Sequence, residues 1–316
     1  MLFQYNFGLI STRGLFKQQP GMSFEDKNSK SDNMDHMIEN SPQSITLAFS
    51  ADHPDSRARL SWVGNKAYAV EYSPDPERLD LLPEAVNPFL KSGIPVRFHA
   101  RYFGCEIGHA DRHEADRAME IHKNTLKTIH GLGQSVITVH TGLGPAVPVN
   151  EERIVENLSR LVEFAGRLGI TVCLENLRKG HASEPRKILE WTNLSGAMIT
   201  LDTGHAMGCP PVLNRRMTAQ GIAELFASRI FQVHIYGHED HAGHHPIENI
   251  DPLKPLIHSL LHTDCRWWTI ELHDPDQAMS TRDIIEDHLK ALDFPCAASR
   301  GLNNSEYHWL EKYGRV

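Results

Sequence analysis

No window of the 316-residue chain approaches 18 consecutive apolar residues, which excludes a transmembrane helix. The opening MLFQYNFGLISTRGLF lacks the basic start and continuous apolar core of a secretion signal. Cysteine is sparse: the five, at 105, 173, 209, 265 and 296, form no disulfide framework and no close pair of the zinc-ribbon or redox kind. A cytoplasmic, reducing compartment is therefore expected. Positive charge is in deficit, since 32 Lys and Arg against 40 Asp and Glu give −8, so long-range electrostatics repel a polyanion and disfavour nucleic acid. No strand is followed by GxGxxG or GxxxxGK, the phosphate turns of doubly wound nucleotide-binding sheets. No Ser-His-Asp order follows a nucleophile elbow and the cysteines lack a specific His partner, so covalent nucleophilic catalysis has no signal.

What remains is an ordinary globular composition, 40% apolar and 23% charged, with one excess: twenty histidines. Residues 17–43 are polar and without helical or strand period, and the chain divides into a flexible N-terminal extension (1–43), a folded part (44–295) and a C-terminal tail (296–316). In the folded part, eight β-rich runs alternate with stretches of helical period. They are 44–50, 67–73, 95–102, 135–142, 171–177, 197–204, 230–237 and 267–273. Their spacing is too long for hairpins and suits parallel strands with helical crossovers. The clearest crossover repeats Ile154, Leu158, Leu161, Ala165 and Leu168 on one face. Met119, Ile121, Leu126, Ile129 and Leu132, then Ile222, Leu225 and Phe226, and finally Ile284, Ile285, Leu289 and Leu292 repeat more loosely. Gly133 and Gly169 stand where helix C-terminal caps are expected. Eight β/α units over about 250 residues predict an α/β fold, a single (β/α)₈ TIM barrel.

Functional residues of such a barrel lie at the C-terminal ends of its strands. Here the third run ends in His99, the fourth in His140, the fifth in Glu175, the sixth in Asp202 with His205 one turn later, the seventh in His234 and the eighth in Glu271. A lone Glu at such a place is more often a cap or an ion-pair partner, and a lone His a satisfied core residue. Acids and imidazoles on successive strands instead require a common partner, because unpaired they cost several kcal/mol of desolvation. A divalent cation supplies it, and oxygen and imidazole ligands suit Mn²⁺, Co²⁺, Mg²⁺ or Zn²⁺. Glu175, Asp202, His234 and Glu271 form the primary metal set. His99 and His140 are candidates for a second ion, for substrate hydroxyls or for orienting a carboxylate. Trp267, Trp268 and Phe98 read as packing residues, while Tyr102 and Phe103 are candidates to wall a sugar.

The segments HARY (99–102), VHTG (139–142), LEN (174–176), LDTGHA (201–206), QVHI (232–235) and IELH (270–273) resemble, in order and spacing, the xylose isomerase-like barrel superfamily, over about residues 44–293. That superfamily includes sugar-phosphate isomerases and epimerases and the endonuclease IV group. In the ketose epimerase branch the resemblance implies one metal on Glu175, Asp202, His234 and Glu271, with Glu175 and Glu271 doubling as acid and base. One takes a proton beside the substrate carbonyl, the cation stabilises the enediolate, and the other returns the proton on the opposite side. His205 and Arg178 would then bind substrate.

In the endonuclease IV branch the resemblance implies a second ion on His99, His140 and Glu175, and a third that includes His205. The loop GHEDHAGHHPIENID (237–251) lacks that branch's Asp-Arg-His run, although Asp240, His241, His244 and His245 offer ligands. His244 and Ile250-Asp251 resemble the epimerase loop better, without its Pro-Gly-x-Gly. The expected function is a metal-dependent isomerase or epimerase of a small sugar-like carbonyl compound. Its alternatives are a multi-zinc phosphodiesterase, a keto-inositol dehydratase using the same proton abstraction, and a non-catalytic sugar- or metal-binding barrel. The expected partner is a small sugar or polyol, with nucleic acid and membrane disfavoured and oligomerisation open.

Overall fold

The computed structural model describes residues 44–52, 59, 69–144 and 147–296. The extension and nearly all of the tail inferred from composition lie outside these residues. The strands β1 (Thr46–Asp52), β2 (Ala69–Ser73), β3 (Val96–Ala100), β4 (Val136–Val139), β5 (Thr171–Glu175), β6 (Met198–Asp202), β7 (Ile230–Ile235) and β10 (Trp267–Ile270) form a closed barrel. All eight pairings are parallel, and β1 against β10 closes the ring through Thr46–Trp267 to Phe49–Ile270. This is the TIM barrel that the strand count predicts. Between β7 and β10 lies a two-stranded antiparallel hairpin, β8 (His238–Glu239) and β9 (His244–His245), which the strand pattern did not anticipate.

The helices are α1 (Leu82–Lys91), α2 (Arg112–Ile129), α3 (Glu151–Arg167), α4 (Pro185–Ser195), α5 (Thr203–Gly208), α6 (Pro210–Leu213), α7 (Ala219–Phe226), α8 (Lys254–Leu261) and α9 (Pro275–Ala291). Helix α3 starts where the Asn150 side chain accepts a hydrogen bond from the Arg153 amide at 2.9 Å, satisfying one of the unpaired N–H groups of its first turn. Its predicted stripe packs inward: Ile154, Leu158, Leu161 and Ala165 are buried. Each of the three larger residues contributes about 1.5–3 kcal/mol by leaving water. The same holds for Met119, Leu126 and Ile129 on α2, Ile222 and Phe226 on α7, and Ile285 and Leu289 on α9, whereas Leu292 lies past the end of α9 and is exposed. Gly133 has φ +58°, and a Cβ there would sit 2.5 Å from the Val96 carbonyl oxygen, so the turn into β4 requires glycine.

The main apolar core lies between the strands and the helix layer, whereas the smaller apolar cluster contains only Ala48, Ala69 and Trp267. The barrel interior above that cluster is polar, in contrast to the branched aliphatic layers usual for the fold. Side chains from β2, β4, β6, β7 and β10 meet there: Glu71, Thr138, Thr200, Gln232 and Thr269, all buried. Thr138 donates to Glu71 Oε1 (3.1 Å), Thr269 to Glu71 Oε2 (2.5 Å) and Gln232 Nε2 to Thr138 Oγ1 (2.6 Å). Because side chains alternate along a strand, the residues two positions further on project inward one layer higher. Those residues include His140, Asp202, His234 and Glu271. No helix among the described residues is long and apolar enough to cross a membrane.

Candidate metal centre

Glu175 and Asp202 are the last residues of β5 and β6, His234 lies in β7, and Glu271 directly follows β10. Each offers one ligand atom, and the four atoms lie within 4.8 Å of one another. All four side chains are buried. His234 Nδ1 lies 3.4 Å from Glu175 Oε2 and 3.3 Å from Glu271 Oε2. Asp202 divides its two oxygens. Oδ1 accepts hydrogen bonds from the His205 amide (2.6 Å), capping α5, and from the Tyr236 hydroxyl (2.8 Å), while Oδ2 is buried without a partner. His234 Nδ1 is likewise buried without a hydrogen bond. A solvent-shielded carboxylate oxygen without a partner is expensive unless something binds it, and His234 Nδ1 has only the long contacts to Glu175 and Glu271. The donor set fits a divalent cation: three carboxylates and one imidazole, with no thiolate.

The electrostatics agree with a site built to hold positive charge. Burial pushes the Asp202 carboxyl up to about 6. Burial acts the same way on Glu175, but the imidazoles of His234, His140 and His99 outweigh it and hold that carboxyl well below the usual range. Glu271 is also held low, against burial, chiefly by His234. Conversely, burial pulls the His234 imidazole down, yet Glu71, Glu175 and Glu271 hold it well above its ordinary value. In the absence of a cation, a proton on His234 offsets the gathered negative charge.

His99 and His140 converge on the same glutamate. His140 Nε2 is 2.9 Å and His99 Nε2 3.1 Å from Glu175 Oε2, and the two nitrogens are 3.0 Å apart. With Glu175 they form a second cluster of potential ligands. His99 Nδ1 faces Glu271 at 3.7 Å. A third cluster joins His205, Glu239 and His244. His205 Nδ1 donates to the Asn176 carbonyl (2.8 Å) and its Nε2 faces Glu239 Oε2 at 3.3 Å. Burial lowers the His205 pKa, but Asp202, Glu239 and Glu175 raise it to about 10. His244 stacks on Tyr236, with centroids 3.9 Å apart, and donates from Nδ1 to the Glu271 carbonyl at 2.9 Å.

Arg178 meets His205 through a shared carboxylate: its Nε pairs with Glu239 Oε2 at 2.8 Å, and its guanidinium reaches the carbonyl oxygens of 239 and 240, bracing the hairpin. Tyr102 is buried and hydrogen-bonded to Thr125, whereas Phe103 is 79% exposed. Three further residues carry the site. Asn176 exchanges two hydrogen bonds with the Asp202 backbone, joining the ends of β5 and β6. Glu239 links His205 to Arg178. Glu71 accepts from His234 Nε2 at 2.9 Å. Asn176 closes the LEN segment and Glu239 lies in the histidine-rich loop, while Glu71 is an acid within the largely apolar AYAVEYS; none of the three was singled out from the sequence.

The sequence profile of the xylose isomerase-like TIM barrel family matches residues 63–293, and the chain belongs to that family. An uncharacterised protein of Methanocaldococcus jannaschii is 35% identical over 168 residues, 53% of this chain and 72% of its own. Among solved structures, a D-tagatose 3-epimerase-like protein superposes with TM-score 0.62 at 19% identity, covering 79% of this chain and 98% of that one. A D-allulose 3-epimerase from Methylomonas sp., in complex with D-allulose, gives 0.61 at 17%, covering 78% and 98%. Endonuclease IV from Thermus thermophilus gives 0.59 at 14%, covering 78% and 99%. At these identities the likeness is one of fold.

Proposed function

We propose that the protein is a metal-dependent isomerase or epimerase acting on a small sugar or sugar-like polyhydroxylated carbonyl compound. One observation carries the reading: Asp202 Oδ2 is buried without a partner in a pocket of ligand atoms that also holds His234 Nδ1, Glu175 and Glu271. A divalent cation, Mn²⁺, Co²⁺, Mg²⁺ or Zn²⁺, would be held by those four side chains and, when bound, supply Lewis-acid stabilisation of charge developing on the substrate oxygens. The protein's own part is proton transfer. Glu175 and Glu271 approach His234 Nδ1 from different strands, so one carboxylate can take the proton next to the carbonyl and the other return it. His205, its Nδ1 anchored on Asn176, keeps Nε2 for a substrate hydroxyl or for Glu239. The sugar epimerases of the same fold lend support, as does the −8 charge, which disfavours a polyanionic substrate.

A second reading rests on a separate observation, the convergence of His99 and His140 on Glu175 Oε2. Were that cluster to hold another ion, Glu175 would serve both sets of ligands, and the two ions would supply Lewis-acid chemistry suited to hydrolysis of a phosphate ester. Proton exchange separates the readings. A panel of ketoses and inososes is incubated with enzyme in D₂O, with metal and after complete chelation. Metal-dependent incorporation of deuterium at a substrate carbon supports isomerisation. Absence of exchange throughout the panel, together with phosphate-ester hydrolysis, would overturn it.

A further inference from the structure

The hairpin β8–β9 has two chemically distinct faces. Strand alternation turns Glu239 and His244 inward, where they meet His205, and turns His238 and His245 outward. His238 and His245 are a cross-strand pair in direct register, their rings parallel with centroids 4.4 Å apart. Asp240 completes the outer set, and the ligand atoms of His238, Asp240 and His245 lie within 4.8 Å of one another. The Asp240 carboxylate is fixed from within the turn, where Oδ1 accepts the Ala242 amide at 2.7 Å. His245 Nε2 is shielded from solvent and pairs with Asp240 Oδ1 at 2.9 Å. His245 Nε2 and the Asp240 carboxylate form an ion pair beside the His238 ring, and a cation can take the place of the proton they share. His241, almost fully exposed and 4.0 Å from Asp240, stands nearby as a further donor.

We infer that the outer face of this hairpin is a peripheral site for a borderline transition-metal ion, Zn²⁺, Cu²⁺, Ni²⁺ or Co²⁺, held by His238, Asp240 and His245. Two imidazoles and one carboxylate match these ions and not Mg²⁺ or Ca²⁺, which require mostly oxygen ligands. The site is separate from the central carboxylate cluster and does not depend on which reaction that cluster performs. Its consequence is mechanical. A cation across His238 and His245 ties β8 to β9, and the same two strands carry Glu239 and His244 against His205. Because the hairpin has only two residue pairs in register, it has little intrinsic stability, and a cross-strand ion is an effective clasp.

The test uses the full chain without an affinity tag. Zn²⁺ is titrated against a chromophoric chelator, and Cu²⁺ is followed by electron paramagnetic resonance, in a His258→Ala background that breaks a second exposed histidine pair, His258 and His262. Substitution of His238→Asn together with His245→Gln should remove one equivalent of Zn²⁺ and the corresponding nitrogen hyperfine pattern, while the remaining equivalents keep their affinity. Asp240→Asn alone should weaken that equivalent without removing it, which covers a double variant that does not fold. Equal stoichiometry and affinity in the parent and both variants would overturn the inference.

Discussion

Glu71 Oε2 accepts the Nε2 proton of His234 at 2.9 Å and thereby turns the other ring nitrogen, Nδ1, toward Glu175, Asp202 and Glu271. A carboxylate behind an imidazole fixes its tautomer and ring plane and raises its basicity as a ligand. Glu71 is in turn held by Thr138, Gln232 and Thr269, so its position is set by three strands. Glu71→Gln should weaken the central cation by about 10–100-fold in a chelator competition, with the fold retained. Glu71→Ala should also lower stability by about 1–3 kcal/mol, since it strands buried donors. An unchanged metal affinity in Glu71→Gln would show that His234 is oriented by packing alone.

The same electrostatics predict a pH dependence for metal binding. A carboxyl raised to about 6, as Asp202 is, must lose its proton before it can ligate, and His234 keeps its proton well above its ordinary pKa. Protons therefore compete with the cation. Affinity should fall as pH drops through about 6 and should still be rising above neutrality. Calorimetric titration in buffers of different ionisation enthalpy should find net proton release on binding at pH 7. No release at that pH would mean that the cation does not displace the proton on His234.

The barrel was legible because its strands carry apolar pairs on consecutive positions and its helices a regular stripe, as with Ile154, Leu158, Leu161 and Ala165. Glu175, Asp202, His234 and Glu271 stand out for a related reason: each breaks an apolar strand at its carboxyl end. Glu71 breaks one in the middle, and attention to strand ends passes over it. Its companions Thr138, Thr200 and Thr269 are ordinary residues in a strand, so a polar barrel interior leaves little trace in the sequence. The hairpin was hidden because its alternation is between two sets of polar side chains, and hydrophobic periodicity is blind to that. Arg178 was assigned from its place after Glu175, but only the fold brings Glu239 to its guanidinium.

Glu271→Gln keeps the size of a side chain that is buried and opposite His99 and Arg101, and removes its basicity. If Glu271 moves a proton, turnover should fall by about 10²–10⁴-fold while the circular dichroism spectrum is retained. Deuterium exchange into the substrate carbon should fall equally if Glu271 acts first, and should survive if Glu175 does. Full activity in a validated assay would sink the assigned role.

His99 and His140 decide between one cation and several. In the proposed isomerase their removal leaves the ion count unchanged, because Glu175, Asp202, His234 and Glu271 suffice. Elemental analysis of the His99→Ala/His140→Ala protein beside the parent measures this directly. A loss of one ion per chain would make Glu175 a bridging ligand and put phosphate-ester hydrolysis first.

Gly204, the second residue of α5, shows how tightly the backbone beside the site is packed. A Cβ there would lie 2.2 Å from Tyr236 Cε2 and 2.7 Å from its hydroxyl oxygen. That ring cannot simply swing aside, since it is fully buried, stacked on His244 and hydrogen-bonded to Asp202. Gly204→Ala should therefore cost about 1–3 kcal/mol of overpacking. It should also weaken the central cation, because displaced Tyr236 no longer steadies Asp202. The two residues should couple strongly in a double-mutant cycle: in a Tyr236→Ala background, which opens the space, Gly204→Ala should become nearly neutral. Additive losses in denaturant unfolding would mean that the cost of the methyl group arises in the backbone of α5 and not at the ring.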